Sequence, residues 1–155
     1  MSLTILKPNL PVVVARLLRF SLLLVFVFGW AHYSIADPKH HIAQLHAHTP
    51  EELSAVLKRA ERWSEQFESY PNTPIAVVLH GQEANVFLKQ NYKKYRNLVD
   101  QAAKLDAFKV VDIQICERWM GSNNIQRDQL PAFIDTVPYG PAREQELIKS
   151  GYQSF

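Results

Sequence analysis

The strongest constraint on the fold is a continuous apolar run, Ile75 to Leu79 (IAVVL), between Pro74 and the pair His80-Gly81. A strand with one solvated face alternates apolar and polar residues, whereas an unbroken apolar strand is buried on both faces. Strands of the second kind are typical of parallel sheets that helices cover on both sides. The run therefore predicts the centre of a parallel α/β sheet.

Strand and helix patterns alternate along the rest of the chain. Further strands are predicted at 41–47, 108–116 and 133–137. Thr49-Pro50 followed by two acids favours a helix start, and apolar spacing of 3.6 residues continues that helix to about residue 70. Further helices are predicted at 83–89, 95–105, in pieces over 117–130, and at 142–149. This alternation predicts an α/β sandwich with a mostly parallel sheet of about four to five strands.

Residues 1–36 have the pattern of a targeting segment. Three cations, Lys7, Arg16 and Arg19, precede Phe20–Ala31, an uncharged apolar run of about a dozen residues. Ser34-Ile35-Ala36 then supplies small residues at alternate positions. This order matches a secretory signal peptide, and cleavage after Ala36 would leave residues 37–155 as the mature domain.

An uncleaved membrane anchor is the alternative for the same segment. A spanning helix needs roughly 20 apolar residues, a length reached only by extending the run back to Leu10, which includes Arg16 and Arg19. In both cases the positive charge stays inside, so the domain lies outside the cytoplasm. We therefore expect a periplasmic protein in a two-membrane bacterium, associated with the membrane only if the segment is uncleaved.

Charge and motifs exclude several classes of function. The chain has 17 Lys and Arg against 15 Asp and Glu, and three of those cations belong to the N-terminal segment. The remaining domain has no basic surplus with which to bind nucleic acid. The sequence contains no Gly-rich phosphate loop, no G-x-S-x-G and no H-E-x-x-H, so we expect no cofactor.

Three motifs carry a resemblance to a known family. They are the strand end VVLHG at 77–81, the strand end IQIC at 113–116, and DTVPYGPAREQELIKSGY at 135–152. In this order, from about His40 to Tyr152, the chain resembles the DsrE/DsrF-like proteins, in an exported branch. The resemblance implies a three-layer α/β fold and a homo-oligomer. It also implies a cysteine that carries sulfane sulfur as a persulfide and exchanges it with a donor or acceptor protein.

The candidate chemistry lies where the predicted strands end. Ligands of parallel α/β proteins bind at the carboxyl ends of the strands. There the sequence places His46 and His48 after the first strand, His80 after the second, and Cys116 at the end of the third. We expect these four side chains to share one edge of the sheet.

The leading hypothesis is a reactive thiol at Cys116. It is the single cysteine, so it cannot form an internal disulfide. A thiolate is favoured by a nearby cation or helix N-terminus, and the candidate neighbours are Arg118 and His80. On this hypothesis the protein is a persulfide carrier or sulfurtransferase-like relay, with Cys116 and His80 as catalytic residues. The alternative is a buried structural cysteine.

A second hypothesis is a metal site. On an extended chain His46-x-His48 places two imidazoles on the same side, about 7 Å apart. With His80 and Cys116 they form a ligand set suited to zinc or copper. The alternative is that these histidines are ordinary solvated side chains.

A third hypothesis is a non-catalytic, oligomeric binding module in the periplasm. Four aromatic residues, Tyr92, Tyr95, Trp119 and Tyr139, would line its groove. The alternative for each of them is packing in the core or at an interface between subunits.

Overall fold

A computed structural model describes residues 40–66 and 73–155. They belong to the second of two units into which the chain divides, Asp37–Phe155. The predicted signal segment, residues 1–36, lies outside the described residues. Within the part that the structure describes, no helix combines the length and the apolarity needed to cross a bilayer.

Within the described residues the domain has five strands and four α-helices. The strands are β1 (His41–Ala43), β2 (Ile75–Leu79), β3 (Val111–Cys116), β4 (Asp135–Val137) and β5 (Gln153–Ser154). The α-helices are α1 (Pro50–Ser64), α2 (Tyr92–Ala107), α3 (Glu117–Ser122) and α4 (Gly140–Lys149). Short 3₁₀ helices lie at Gln82–Phe87, Lys89–Asn91 and Arg127–Gln129.

The strands form one sheet in the order β4-β3-β2-β1-β5, and every neighbouring pair is parallel. All five residues of β2 are buried at the centre of this sheet, as the unbroken apolar run predicts. After β4, at one edge, α4 leads back across the sheet to β5 at the other edge. The prediction of a parallel α/β sheet is confirmed.

The two faces of the sheet pack against different helices. On one face Val77 and Ile113 belong to the main core, together with Leu57 of α1 and Ala102 of α2. On the other face Ile42, Ala76 and Val78 pack against Leu147 of α4. Helices on both faces of the sheet make three layers, which is the expected α/β sandwich.

The first helix begins where its capping signal predicts. The side chain of Thr49 accepts a hydrogen bond from the Glu52 backbone N–H at 3.2 Å, and Pro50 occupies the first turn. The helix ends at Ser64, earlier than predicted, and residues 67–70 of the predicted helix lie outside the described residues.

The predicted starts of β3 and β4 are too early. The chain leaves α2 through Lys109, whose φ of 58° is left-handed, while the Val110 N–H bonds to the Leu105 carbonyl at 2.8 Å. These are features of a Schellman helix end, so Phe108–Val110 belongs to the helix terminus rather than to the strand. Phe133 precedes β4, and its ring packs edge-on against Phe87 at 6.1 Å.

The first strand is shorter than predicted, because β1 ends at Ala43 rather than at Ala47. The backbone N–H groups of His46, Ala47 and His48 bond to the Glu52 carboxylate instead of to a neighbouring strand. His48 has a left-handed φ of 51°, which turns the chain into α1. This corrected path determines where His46 and His48 lie.

Candidate functional site

The candidate site is built around Gly140, the first residue of α4. A Cβ atom at this position would lie 3.0 Å from Cβ and Cδ2 of His80 and 3.2 Å from Cβ of Cys116. His80 follows β2 and Cys116 ends β3, so α4 begins directly against two neighbouring strand ends. The predicted convergence of His80 and Cys116 is therefore present, and a glycine allows the helix to approach them closely.

Glu144 lies one turn further along α4 and faces His80. Its Oε1 is 3.7 Å from His80 Nε2, a distance too long for a hydrogen bond. Both atoms are buried, and neither has a hydrogen-bond partner among the described residues. Burial raises the pKa of Glu144, and the nearby His80 and His48 partly offset that increase. The two side chains therefore face each other without a hydrogen bond between them.

Glu83 is a fully buried carboxylate beneath the turn after β2, with 0% of its surface exposed. Its Oε1 accepts the backbone N–H groups of His80 and Gly81, each at 2.9 Å. The same oxygen lies 3.3 Å from Nδ1 of His48. The other oxygen, Oε2, is buried and has no hydrogen-bond partner among the described residues. A buried carboxyl group is costly unless it is hydrogen-bonded, so the bonds to Oε1 both offset part of that cost and fix the backbone that carries His80.

His48 links this buried cluster to solvent. The centres of its ring and the His80 ring are 4.3 Å apart, with the planes tilted by 52°. Its side chain is 29% exposed, whereas Glu83 beside it is inaccessible. His48, His80, Glu83 and Glu144 therefore form a continuous set of titratable groups from the surface to the sheet edge.

Gly81 is a second glycine required by close approach. An added Cβ would lie 2.5 Å from Cβ of His48 and 2.7 Å from Oε2 of Glu83. Real Cβ atoms essentially never approach so closely, and the Cβ of His48 cannot rotate away. The absence of a side chain at Gly81 thus allows the contact between His48 and Glu83.

Glu52 holds the loop that carries His48. Its carboxylate accepts the N–H groups of His46 and Ala47 at 2.8 Å and of His48 at 2.9 Å. Burial acts to raise the pKa of Glu52, but these three bonds and the electrostatic effect of the nearby His46 side chain together outweigh burial, and the pKa is lowered. The carboxylate is therefore ionised at neutral pH and acts as a backbone clamp.

The site brings together three of the four predicted strand-end residues. His48, His80 and Cys116 converge, whereas the side chain of His46 is exposed and makes no described contact with them. The argument that His46-x-His48 places two imidazoles on the same side of a strand is wrong, because the chain leaves β1 before either residue. Within residues 40–66 and 73–155, no group of three or more His, Cys, Asp or Glu side chains is placed to hold a metal ion.

Cys116 is a free, buried thiol that lies against the start of α4. It is only 1% exposed, as the alternative of a structural cysteine also requires. Arg118, a predicted neighbour of the thiol, instead lies over the ring of Tyr139 at 4.5 Å. Tyr139 immediately precedes Gly140, so this stacking holds the segment that packs against Cys116, which we call the cover. Because Cys116 is buried, a reagent reaches its thiol only when the segments that surround it move.

A polar cleft of about 620 Å³ adjoins this cover on the α4 face of the sheet. Its floor includes Gln114, two residues before Cys116 on β3, and Arg143 of α4 donates from Nε to Gln114 Oε1 at 3.2 Å. The lining residues are Gln114, Arg127, Asp135, Thr136, Val137, Pro138, Tyr139, Ala142, Arg143 and Glu146.

The predicted groove of four aromatic residues is not formed. Tyr139 lines the polar cleft, whereas Tyr92 lines a separate apolar cavity of about 210 Å³. Tyr95 and Trp119 are half-buried and pack against the main core. For Tyr95 and Trp119, the alternative of core packing is the correct one.

A comparison with solved structures matches the fold to a protein from an archaeon. The chain is similar to MTH1491 of Methanobacterium thermoautotrophicum, a protein of unknown function, with a TM-score of 0.56 and 16% sequence identity. The match covers 75% of this chain and 94% of that one. At this identity the likeness shows the fold alone.

No protein-family model matches the chain, and no curated protein matches it either. The resemblance to the DsrE/DsrF-like proteins therefore stays a prediction.

Sequence reasoning missed the acids of the site, Glu52, Glu83 and Glu144. A local signal existed for Glu83, because an acid three residues after His80 in a tight turn can accept the exposed backbone N–H groups of that turn. Glu144 gave no such signal, since its partner lies 64 positions earlier on a different element.

Proposed function

We propose that this domain carries sulfane sulfur as a persulfide on Cys116, with His80 and Glu144 moving the proton. The observation that supports the proposal is the convergence of these three side chains around Gly140, with unpartnered buried atoms on both His80 and Glu144. A thiol beside an acid–base pair is the arrangement that a sulfur nucleophile needs.

The step is redox-neutral overall. The Cys116 sulfur attacks the outer sulfur of a donor persulfide, R–S–SH, and forms a new S–S bond. The donor's S–S bond breaks, and its electron pair leaves on R–S⁻. His80 accepts the Cys116 proton and returns one proton to the leaving thiolate, so the products are Cys116–S–SH and R–SH. Glu144, facing Nε2 of His80, stabilises the imidazolium formed during the transfer.

The first turn of α4 suits an anionic persulfide. Among residues 40–66 and 73–155, no side chain caps this helix, and its first turn contains no acid that would compete for the free N–H groups. A helix N-terminus carries partial positive charge and favours a neighbouring anion. Because a Cβ added at Gly140, the first residue of α4, would lie 3.2 Å from Cβ of Cys116, we expect the loaded sulfur to lie near this helix end.

The cover over Cys116 supports storage rather than rapid turnover. A persulfide held away from solvent is protected from side reactions, and it is released when a covering segment opens. Gly140 contributes no side chain to this cover, and Tyr139 beside it is exposed at the surface.

The test is loading with a persulfide donor, followed by peptide mass spectrometry. We expect the Cys116 peptide to gain the mass of one sulfur atom. Because general acid–base catalysis contributes about 10²–10⁴-fold, His80→Asn should slow loading by that order. His46→Asn, which changes an exposed histidine outside the cluster, should load at the wild-type rate. Equal rates for all three proteins would refute the role of His80, and a Cys116 that never gains sulfur would refute the carrier.

We also propose that the domain works outside the cytoplasm as a homo-oligomer and exchanges sulfur with a donor or acceptor protein. Two short edge strands, β4 and β5, support assembly, because exposed sheet edges favour association. A mature chain from a periplasmic extract should begin at Asp37 and have the native mass of an oligomer. A chain beginning at Met1 would contradict cleavage, and a monomeric mass would contradict assembly.

A further inference from the structure

The polar cleft and the buried thiol belong to the same face of the same strand. Side chains alternate along a strand, so Gln114 and Cys116 both project toward α4. Arg143 contacts Gln114, and Gly140 contacts Cys116, which places successive parts of α4 over these two residues. Tyr139 both lines the cleft and precedes Gly140, so the cleft extends to the segment that packs against Cys116.

Arg143 is held in place at the floor of the cleft. Its Nε donates to Gln114, a polar residue only 7% exposed, and its Nη1 donates to Glu146 at 3.0 Å. Its second terminal nitrogen, Nη2, has no hydrogen-bond partner among the described residues. A guanidinium oriented in this way presents free N–H donors to a carboxylate.

The cleft has both signs of charge. Arg127 and Arg143 contribute two cations, and Asp135 and Glu146 contribute two anions. Arg127 already donates to three backbone carbonyls, with the shortest bond, 2.6 Å, to Ile134. A simple inorganic anion would satisfy the cations but would be repelled by the acids. A ligand with both an ammonium and a carboxylate group satisfies both.

We infer that this cleft binds the sulfur donor as a small zwitterionic persulfide, the persulfide of an amino-acid or short-peptide thiol; this inference rests on the proposed function. The volume of about 620 Å³ lies within the roughly 300–1,000 Å³ of small-molecule sites. The carboxylate lies on Arg143, the ammonium lies near Asp135, and the sulfur end is directed to the cover of Cys116.

The first experiment compares two donors, glutathione persulfide and inorganic hydrodisulfide. A hydrogen bond to a charged group contributes about 1.5–3 kcal/mol, so Arg143→Gln should raise the half-saturating concentration of glutathione persulfide about tenfold or more. The rate with hydrodisulfide should not change. Arg96→Gln is the matched control, since Arg96 also pairs with an acid, Asp100 at 3.6 Å, but lies on α2. Equal slowing with both donors, or none with either, would overturn the assignment.

The second experiment separates this inference from the proposed function. S-methylglutathione cannot transfer sulfur, and its binding is measured by calorimetry. Binding that Arg143→Gln weakens supports the cleft, even if no donor loads Cys116 and the carrier proposal fails. Absence of binding overturns the cleft, even if Cys116 is loaded. Acetylation of the ammonium group should weaken binding, and unchanged affinity for the acetylated compound would overturn the zwitterionic assignment.

Discussion

Three glycines give a graded prediction, because the space for a methyl group differs at each. At Gly81 an added Cβ would lie 2.5 Å from Cβ of His48, and at Gly140 it would lie 3.0 Å from Cβ of His80. At Gly121, in α3, nothing lies within 4 Å. Substitution by alanine should therefore be most harmful at Gly81, less harmful at Gly140, and harmless at Gly121.

The magnitudes follow from what has to move. A Cβ of His48 cannot rotate out of the way, so Gly81→Ala must displace the backbone of the His48 loop together with its bonds to Glu52. We expect a loss of about 3 kcal/mol, the upper part of the range for overpacking. Gly140→Ala requires a shift of a few tenths of an ångström and should cost about 1 kcal/mol. Gly121→Ala should gain up to about 1 kcal/mol through helix propensity.

Urea unfolding of the three variants, followed by circular dichroism, measures the changes in the free energy of unfolding. Alkylation of Cys116 in the folded state supplies a second measurement, because Gly140→Ala pushes on the cover while Gly121→Ala does not. A Gly81→Ala protein as stable as the wild type would refute the close-approach argument. Equal losses in the free energy of unfolding for Gly140→Ala and Gly121→Ala would show that the distance from the added Cβ to His80 does not determine stability.

The remaining predictions concern two carboxyl groups, of Glu52 and Glu144, and the segment at Tyr139 that packs against Cys116. The pKa of Glu52 is lowered in the folded protein. Its contribution to the free energy of unfolding is therefore complete above the unfolded-state pKa and is lost as pH falls through the folded-state pKa. Glu52→Gln should reduce this loss of stability at acid pH. The pKa of Glu144 is raised above its ordinary value of 4.5. The free energy of unfolding should therefore fall as pH rises from 4.5 through the folded-state pKa of Glu144. Urea unfolding at a series of pH values should show this decline in the wild type and not in Glu144→Gln. Tyr139→Ala removes the stacking with Arg118 and should speed alkylation of Cys116 in the native protein; an unchanged rate would show that Tyr139 does not hold the cover.

The centre of the fold was predictable because its signals are local. Five apolar residues between Pro74 and His80 can be satisfied only by burial on both faces, and the structure buries all five. Thr49 and Pro50 are likewise residues that favour the N-cap and the first turn of a helix, and α1 begins where they predict.

The ends of the helices and strands were less predictable. They are determined by side-chain contacts outside the strand or helix, or by a residue with a left-handed φ. His46 and His48 fit an extended pattern, but the Glu52 carboxylate takes their backbone N–H groups and ends the strand early. The position of Glu144 opposite His80 depends on the path of α4 across the sheet, which no local pattern specifies. Sequence could place His80 and Cys116 at one edge, but not the groups that surround them.

The acids of the site divide into two kinds, and this division argues for the role of Glu144. Glu52 and Glu83 accept backbone N–H groups, so Glu52 holds the loop that carries His48 and Glu83 holds the turn that carries His80. Removing a proton acceptor of that kind would disturb the backbone before it disturbed any chemistry. Glu144 makes no such bond within the part of the chain that the structure describes, and its pKa is raised where that of Glu52 is lowered. Of these three acids, Glu144 is the one whose side chain faces His80 rather than a loop backbone, so its protonation can change without breaking a backbone hydrogen bond.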